Sequence, residues 1–435
     1  MLQIQEQVIK ENGYTLHLIP NEKFKTINIV AKMKAPLERE TITKRALLPY
    51  VLQQGTRRYP TRLQLQSALD DLYGAVLSLD GAKKGDFHII SYRLEVANQK
   101  FIQQETDIVE KAINLLYEVI FQPNMKGIGF EPTVFAREKE TLKEKIAAIT
   151  DDKLAYANMR LMDEMCVDEA YGLHVHGYKE DLVQLTPENT YHYYEQLLME
   201  DDMDIYIMGD FDSNKMQEFF RASFVRTDSG NNEYEKLENT NTSQNRDLNR
   251  EPQEVIEKQP IQQAKLHIGY RTNCTYRDET YAALQVFNGI FGGFPSSKLF
   301  INVREKNSLA YYAASRIESH KGLLIVFSGI TSKDYKKARA IMEQQMTAMK
   351  EGKFTEEDME EAKEQIMNQL LETMDHPQGM MELLYQQVIA NRSLSPHELI
   401  AQIKATTIEQ VIHVASNIQE DTIYLLTGEE DVTNA

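Results

Sequence analysis

The chain repeats its own pattern, and this limits the folds open to it more than any other feature. One half closes on the apolar run Asp204–Asp210 (DIYIMGD), the other on Thr422–Glu429 (TIYLLTGE). Each run ends in glycine and an acid, and each follows a helix-like stretch opened by Leu185-Thr186-Pro187 or Leu394-Ser395-Pro396. Further upstream, strand-like Thr26–Ala31 precedes an apolar helix over Arg45–Gln54, and strand-like Ala264–Gly269 precedes one over Thr280–Phe291. Charged helices over Thr133–Ile149 and Thr355–Met374 make a third pair, the second opened by the capping box Thr355-Glu356-Glu357-Asp358. The period is far beyond that of a solenoid, so it reads as a duplicated domain.

Between the copies, Arg226–Pro260 is rich in Asn, Glu and Ser and almost free of large apolar residues. Such a segment cannot repay its ordering entropy by burial and is expected to be a solvated linker. The reading is an N-terminal domain over 1–225, a polar linker over 226–260 and a C-terminal domain over 261–435. Strand runs separated by turns, with helices between the groups, favour an α+β class with antiparallel sheets over a doubly wound fold. No Gly-x-Gly-x-x-Gly or P-loop follows a predicted strand, so nucleotide chemistry has no support.

A formal charge of −18 sets the chain against nucleic acid, whose phosphates it would repel. The two cysteines, Cys166 and Cys274, form neither a disulfide framework nor a zinc ribbon, which points to a reducing compartment. The first residues show no basic and apolar leader pattern, and apolar runs such as Leu323–Phe327 are strand-length. The expectation is a cytoplasmic protein with no membrane partner.

From Phe287 the chain reads FNGIFGGFPSSKLFINVREKNSLAYYAASRIES. Gly292-Gly293 and Pro295 suggest a flexible turn, followed by a helix-like Ser297–Arg304 and then a Tyr311-Tyr312 strand. The segment Leu299–Tyr311, with its Arg-x6-Tyr spacing, closely resembles the C-terminal signature of the insulinase/pitrilysin metallopeptidases, the family of the mitochondrial processing peptidase. Ala170-Tyr171-Gly172, Gly177, Leu185-Thr186 and Gly209-Asp210 resemble the same family in the first half. The resemblance implies two homologous α+β domains facing each other across a chamber. It also implies that Arg304 and Tyr311 assist a zinc site in an opposing half. An arginine offers a forked donor to a substrate carbonyl, and a tyrosine hydroxyl can donate to the oxyanion of a tetrahedral intermediate.

Active relatives carry His-x-x-Glu-His on the first apolar helix, shortly before a Gly-Thr. Two histidines at i and i+4 share a helix face and ligate zinc, and the glutamate beside the second polarises water. Counting back from Gly55-Thr56, those positions hold Ala46, Pro49 and Tyr50. Ala46 has no donor atom and Pro49 no carboxylate. Tyr50 is a poor ligand at neutral pH because phenols titrate near 10. The third ligand of relatives is a glutamate seven residues after an earlier one on the long charged helix, and Lys145 falls at that register. Gly292, Gly293 and Ser78 are the candidate substrate contacts. Ser78-Leu79, however, stand where relatives tend to carry Asn-Ala, on the edge strand where a peptide adds as an extra strand, and this departure weakens the case for peptide binding by the first half.

His174-x-His176 is the one close histidine pair; on a strand both would project from one face. No third ligand accompanies it, so surface histidines are the simpler reading. The chain is therefore expected to hold no metal or cofactor, any zinc residing in a partner. It would act as the zinc-less subunit of a peptidase, lending Arg304 and Tyr311 in trans to a zinc-bearing homologue that cuts peptide substrates. The alternative is a peptide-binding or scaffolding pseudoenzyme, paired with itself or with no protease.

Overall fold

The computed structural model describes residues 5–102, 107–226 and 251–428. Residues 227–250 of the expected linker, and Glu429 of the second closing run, lie outside the described residues. The chain falls into two compact units, Met1–Ala148 with Leu173–Gln244 and Ile149–Gly172 with Asn245–Ala435. Up to residue 226 the helices in chain order are α1 (Ile42–Leu52), α2 (Arg62–Asp70), α3 (Ile108–Phe121), α4 (Pro132–Ala148), α5 (Lys153–Met165), α6 (Pro187–Glu200) and α7 (Ser213–Ser223). All but α5 belong to the first unit.

The first unit is built on strands β1 (Gln7–Glu11), β2 (Tyr14–Pro20), β3 (Thr26–Pro36), β4 (Val76–Lys84) and β5 (Phe87–Ala97). After a small hairpin, β6 (Met125–Lys126) and β7 (Gly129–Phe130), β8 (Asp202–Gly209) completes the sheet. The order is β1-β2-β8-β3-β5-β4, antiparallel throughout except for β2 beside β8. Alternation along β3 sends Ile27, Ile29, Ala31 and Met33 into one core with Leu47 and Leu48 of α1 and Leu116 of α3. Thr186 and Pro187 open α6 with a capping box and a proline in its first turn, as the Leu-Thr-Pro start requires.

The second unit repeats this plan. Its strands are β9 (Gln253–Lys258), β10 (Ala264–Arg271), β11 (Ala310–Glu318), β12 (Leu323–Ile330) and β13 (Gln419–Thr427), in the order β11-β12-β10-β13-β9. The one parallel neighbour pair, β9 beside β13, matches β2 beside β8, and the rest are antiparallel. The duplication read from the closing runs is thus a duplication of topology. Leu266, Ile268 and Tyr270 of β10 face the helical core, while α5 lies on the other face, packing Ala157 and Leu161 against Ile325, Tyr424 and Leu426.

Two parts of the expected division need correction. Residues 253–258, read as linker, are strand β9. Their charges are consistent with an edge strand because they are matched locally: Glu257 accepts hydrogen bonds from Tyr156 and Tyr424 at 2.7 and 2.8 Å, and Glu254 accepts one from Tyr335. Residues 149–172, read as part of the N-terminal domain, pack with the second unit. There Arg271 donates to the Met165 carbonyl and both Glu169 oxygens, and also pairs with Asp421. A further correction falls on His174 and His176, which lie in a turn rather than on a strand. Their ring faces are therefore not set by a two-residue alternation. The His174 ring stacks on Tyr178 at 4.8 Å.

Candidate functional site

The first half of the site is α1. Proline stands inside it as expected, and Pro49 is buried. Its ring removes the N–H that would reach the Arg45 carbonyl, at a cost of about 3 kcal/mol for an interior position. The helix persists because its apolar side chains are buried: Leu47, Leu48 and Leu52 are fully enclosed, with Ala46 and Val51 nearly so. Tyr50 packs against the same core. Burial, and then the nearby Glu138 carboxylate, raise its hydroxyl above the ordinary phenol value, so it stays protonated and cannot serve as an anionic ligand at neutral pH.

On α4, Glu138 is only 5 % exposed and lies seven residues before Lys145. Arg137 donates from Nε to Glu138 at 2.7 Å and from its terminal nitrogen to the Gln54 side chain at 2.9 Å. The one buried acid on this helix face thus already has an internal counter-ion. Lys145 is exposed in the last turn. Alanine, proline, a neutral phenol and an ammonium do not fit a zinc ion, and no metal chemistry follows for this chain from these residues. Among the described residues no three His, Cys, Asp or Glu side chains are grouped to hold a metal.

Sequence reasoning missed Arg45, the residue beside Ala46. It is 1 % exposed and grips Asp201 through two hydrogen bonds of 2.7 and 3.1 Å. It also donates to His88 Nδ1 at 3.3 Å and to the Tyr193 hydroxyl at 3.3 Å. Burial works against the charge of Arg45, but Asp201 and Tyr193 outweigh it and hold the guanidinium pKa above its ordinary value. The same burial lifts the Asp201 carboxyl, with Arg45 pulling against that lift. The available signal was Arg45 itself, a charge that with Lys44 directly heads the apolar run Ala46–Leu52. A turn over residues 174–178 is pinned to the start of α1, where Tyr178 N–H donates to Thr43 Oγ1 at 3.0 Å. Gly177 sits there at φ +71°, and a Cβ on it would meet Thr43 at 2.3–2.7 Å. Only glycine suits that contact.

Ser78 lies exposed on β4, the terminal strand of the first sheet, as the resemblance implied. Gly292 and Gly293 are not a flexible turn. They end a π-helical segment, Gly289–Gly293, and a Cβ on Gly292 would come within 2.4 Å of Ser315 Oγ and 2.8 Å of its N–H nitrogen. Close packing on β11 accounts for that glycine.

The second half of the site is the Arg–Tyr element. A second π-helical segment, Phe300–Glu305, carries Arg304, whose guanidinium lies 4.6 Å from the centre of the Phe300 ring. The connecting loop is fixed by its backbone: Ser308 N–H donates to the Arg304 carbonyl and Leu309 N–H to that of Val303, each at 3.0 Å. In the β11–β12 register Ala310 pairs with Ile330 and Tyr312 with Gly329, so Tyr311 sits between them at a bulge. It is 69 % exposed on the edge of the sheet. Among the described residues neither side chain has a hydrogen bond or ion pair. π turns and bulges are irregularities that re-aim side chains and recur at functional sites. Here one underlies each of the two residues.

The family profile described as the peptidase M16 inactive domain matches residues 184–366. A probable inactive metalloprotease of Bacillus subtilis, YmfF, is 45% identical over 430 residues, 99% of both chains. A conserved protein from Enterococcus faecalis V583 has a solved structure similar to this one with a TM-score of 0.88 at 32% identity, covering 98% of this chain and 99% of that one. A protease from Helicobacter pylori shares the fold with a TM-score of 0.80 at 14% identity, over 98% of this chain and 100% of that one. With a relative this similar along its full length, and with the Arg–Tyr element in place on its duplicated frame, the chain belongs to the M16 family of insulinase/pitrilysin-like metallopeptidases.

Proposed function

We propose that this chain is a zinc-less M16 subunit that supplies Arg304 and Tyr311 to a zinc-bearing homologous partner during peptide hydrolysis. The supporting observation is the asymmetry between its two motifs. Ala46, Pro49, Tyr50 and Lys145 offer nothing to a metal or an attacking water. Arg304 and Tyr311, by contrast, are presented to solvent from a π turn and a bulge, with no hydrogen bond or ion pair among the described residues. Arg304 would hold a substrate carbonyl, and the Tyr311 hydroxyl would donate to the oxyanion formed on the partner's metal site. The chain itself binds no cofactor in this reading. It pairs with a zinc-bearing homologue and a peptide, and not with nucleic acid or membrane.

The test is co-expression with a homologue bearing an intact His-x-x-Glu-His, followed by Arg304→Ala and Tyr311→Phe in this chain. Loss of an oxyanion donor lowers kcat by about 10²–10³-fold. The expected result is a purified complex whose peptidase activity falls by that order with Tyr311→Phe and at least comparably with Arg304→Ala. Full activity in both variants contradicts the proposal.

A second reading is a pseudoenzyme that binds peptides or scaffolds an assembly, as a homodimer or otherwise, without a part in proteolysis. The exposed terminal strand β4 favours it, since an open sheet edge can accept an extended peptide. That reading expects peptide binding that survives both substitutions and no effect on any protease.

A further inference from the structure

A cleft of about 160 Å³, open to solvent, lies within the second unit between the two π-helical segments and the helix Glu356–Met374. One wall bears Lys298, Asn302 and Lys306, and the other bears Asp358 and Glu361. The two walls are therefore oppositely charged.

The donors on the first wall are placed for a ligand. Lys298 is half-buried, and its ammonium has no hydrogen bond or ion pair among the described residues. Burial pulls its pKa below the ordinary lysine value, against the opposing pull of Asp358. Asn302 is held by its amide nitrogen, which donates to Gln345 at 3.0 Å, and its oxygen faces Lys306 Nζ at 3.4 Å. On the second wall each acid has one oxygen engaged. Asp358 caps its helix by accepting from the Thr355 N–H at 2.8 Å, and Glu361 accepts from Gln365 at 2.8 Å. Their second oxygens have no hydrogen bond among the described residues.

A half-buried ammonium without a partner is costly, and an arriving carboxylate removes that cost. A simple anion would meet Asp358 and Glu361, and a simple cation would meet Lys298 and Lys306. Either is penalised by like charge on one wall. A ligand with both charges at opposite ends is accepted by both. We propose that this cleft binds a small zwitterion with a free carboxylate and a free ammonium, of the amino-acid or short-peptide class. Lys298 and Lys306 take the carboxylate, and Asp358 and Glu361 take the ammonium. This assignment does not depend on Arg304, Tyr311 or any partner chain.

Titration calorimetry of the full chain with L-alanine and with L-alanyl-L-alanine tests it. Saturable binding at millimolar concentration is expected, the tighter ligand of the two identifying amino acid or peptide as the source. N-acetylation or C-amidation of that ligand should each weaken binding about tenfold or more. Lys298→Met should do the same with an unchanged melting temperature. If that variant does not fold, Glu361→Gln, on the opposite wall, decides with the same expected loss. Failure of both probes to saturate overturns the proposal. So does equal affinity for the blocked and free ligands, or unchanged affinity in a folded variant.

Discussion

Arg45 shows most clearly what single residues do in this molecule. Its paired burial with Asp201 means that removing one partner leaves the other's charge enclosed, which costs about 3–5 kcal/mol. Arg45→Ala is therefore expected to lower the unfolding midpoint of the first unit sharply in a denaturant titration. A change within the range of ordinary surface substitutions would contradict the assignment. Histidines provide a second test. His267 lies fully buried in β10 and His88 in β5, and burial, with neighbouring cations adding to it, pushes each down to about 3. Both are neutral in the fold, while the unfolded chain takes up protons below about 6.5. Stability should thus fall as pH drops from about 6.5 toward 3, by up to about 1.4 kcal/mol per unit for each histidine. His17 has the opposite sign: burial opposes its charge, but hydrogen bonds to Asp204 and Glu6 win and raise its pKa. Its contribution is present below the ordinary histidine value and is lost as pH rises through the folded one. Melting temperatures from pH 4 to 8 check this, with His267→Phe expected to give a shallower acid limb than wild type.

At the scale of elements, backbone irregularities matter more than the regular runs around them. The 174–178 turn rests on Gly177 at a positive φ against Thr43. Gly177→Ala should cost at least the 1–2 kcal/mol or so of a left-handed backbone, plus the clash, and loosen the turn from α1. Hydrogen exchange at Tyr178 N–H, which bonds Thr43, would report it, and unchanged protection would contradict it. Such features mark the limit of what the sequence could say. Apolar runs, the Leu-Thr-Pro start and a capping box announced β8, β10, α6 and the helix opened by Thr355, because those signals are local. The polar strand β9 escaped because its stability comes from β13 and from the Tyr156, Tyr424 and Tyr335 hydroxyls, all distant in sequence. The attachment of α5 to the second unit escaped for the same reason, since Arg271 fixes the following segment from more than a hundred residues away. The place of Ala46, Pro49 and Tyr50 on one apolar helix was legible in the sequence. The π turn under Arg304 and the bulge at Tyr311 were not, because both arise from tertiary packing.

At the scale of the whole molecule, duplication is the governing fact. The five strands of the second sheet follow the order of five of the six in the first, with α1 carrying Ala46, Pro49 and Tyr50 in one unit and Arg304 and Tyr311 presented in the other. No helix among the described residues is long and apolar enough to cross a membrane. The net charge of −18 favours basic over acidic partners and predicts that association with a basic partner weakens as salt rises. Elemental analysis of the purified full chain after equilibration with zinc, alongside a peptide-cleavage assay, addresses the central claim most directly. The account predicts far less than one zinc per chain and no cleavage by the chain alone. One zinc bound per chain, together with peptide cleavage that a chelator abolishes, would contradict it.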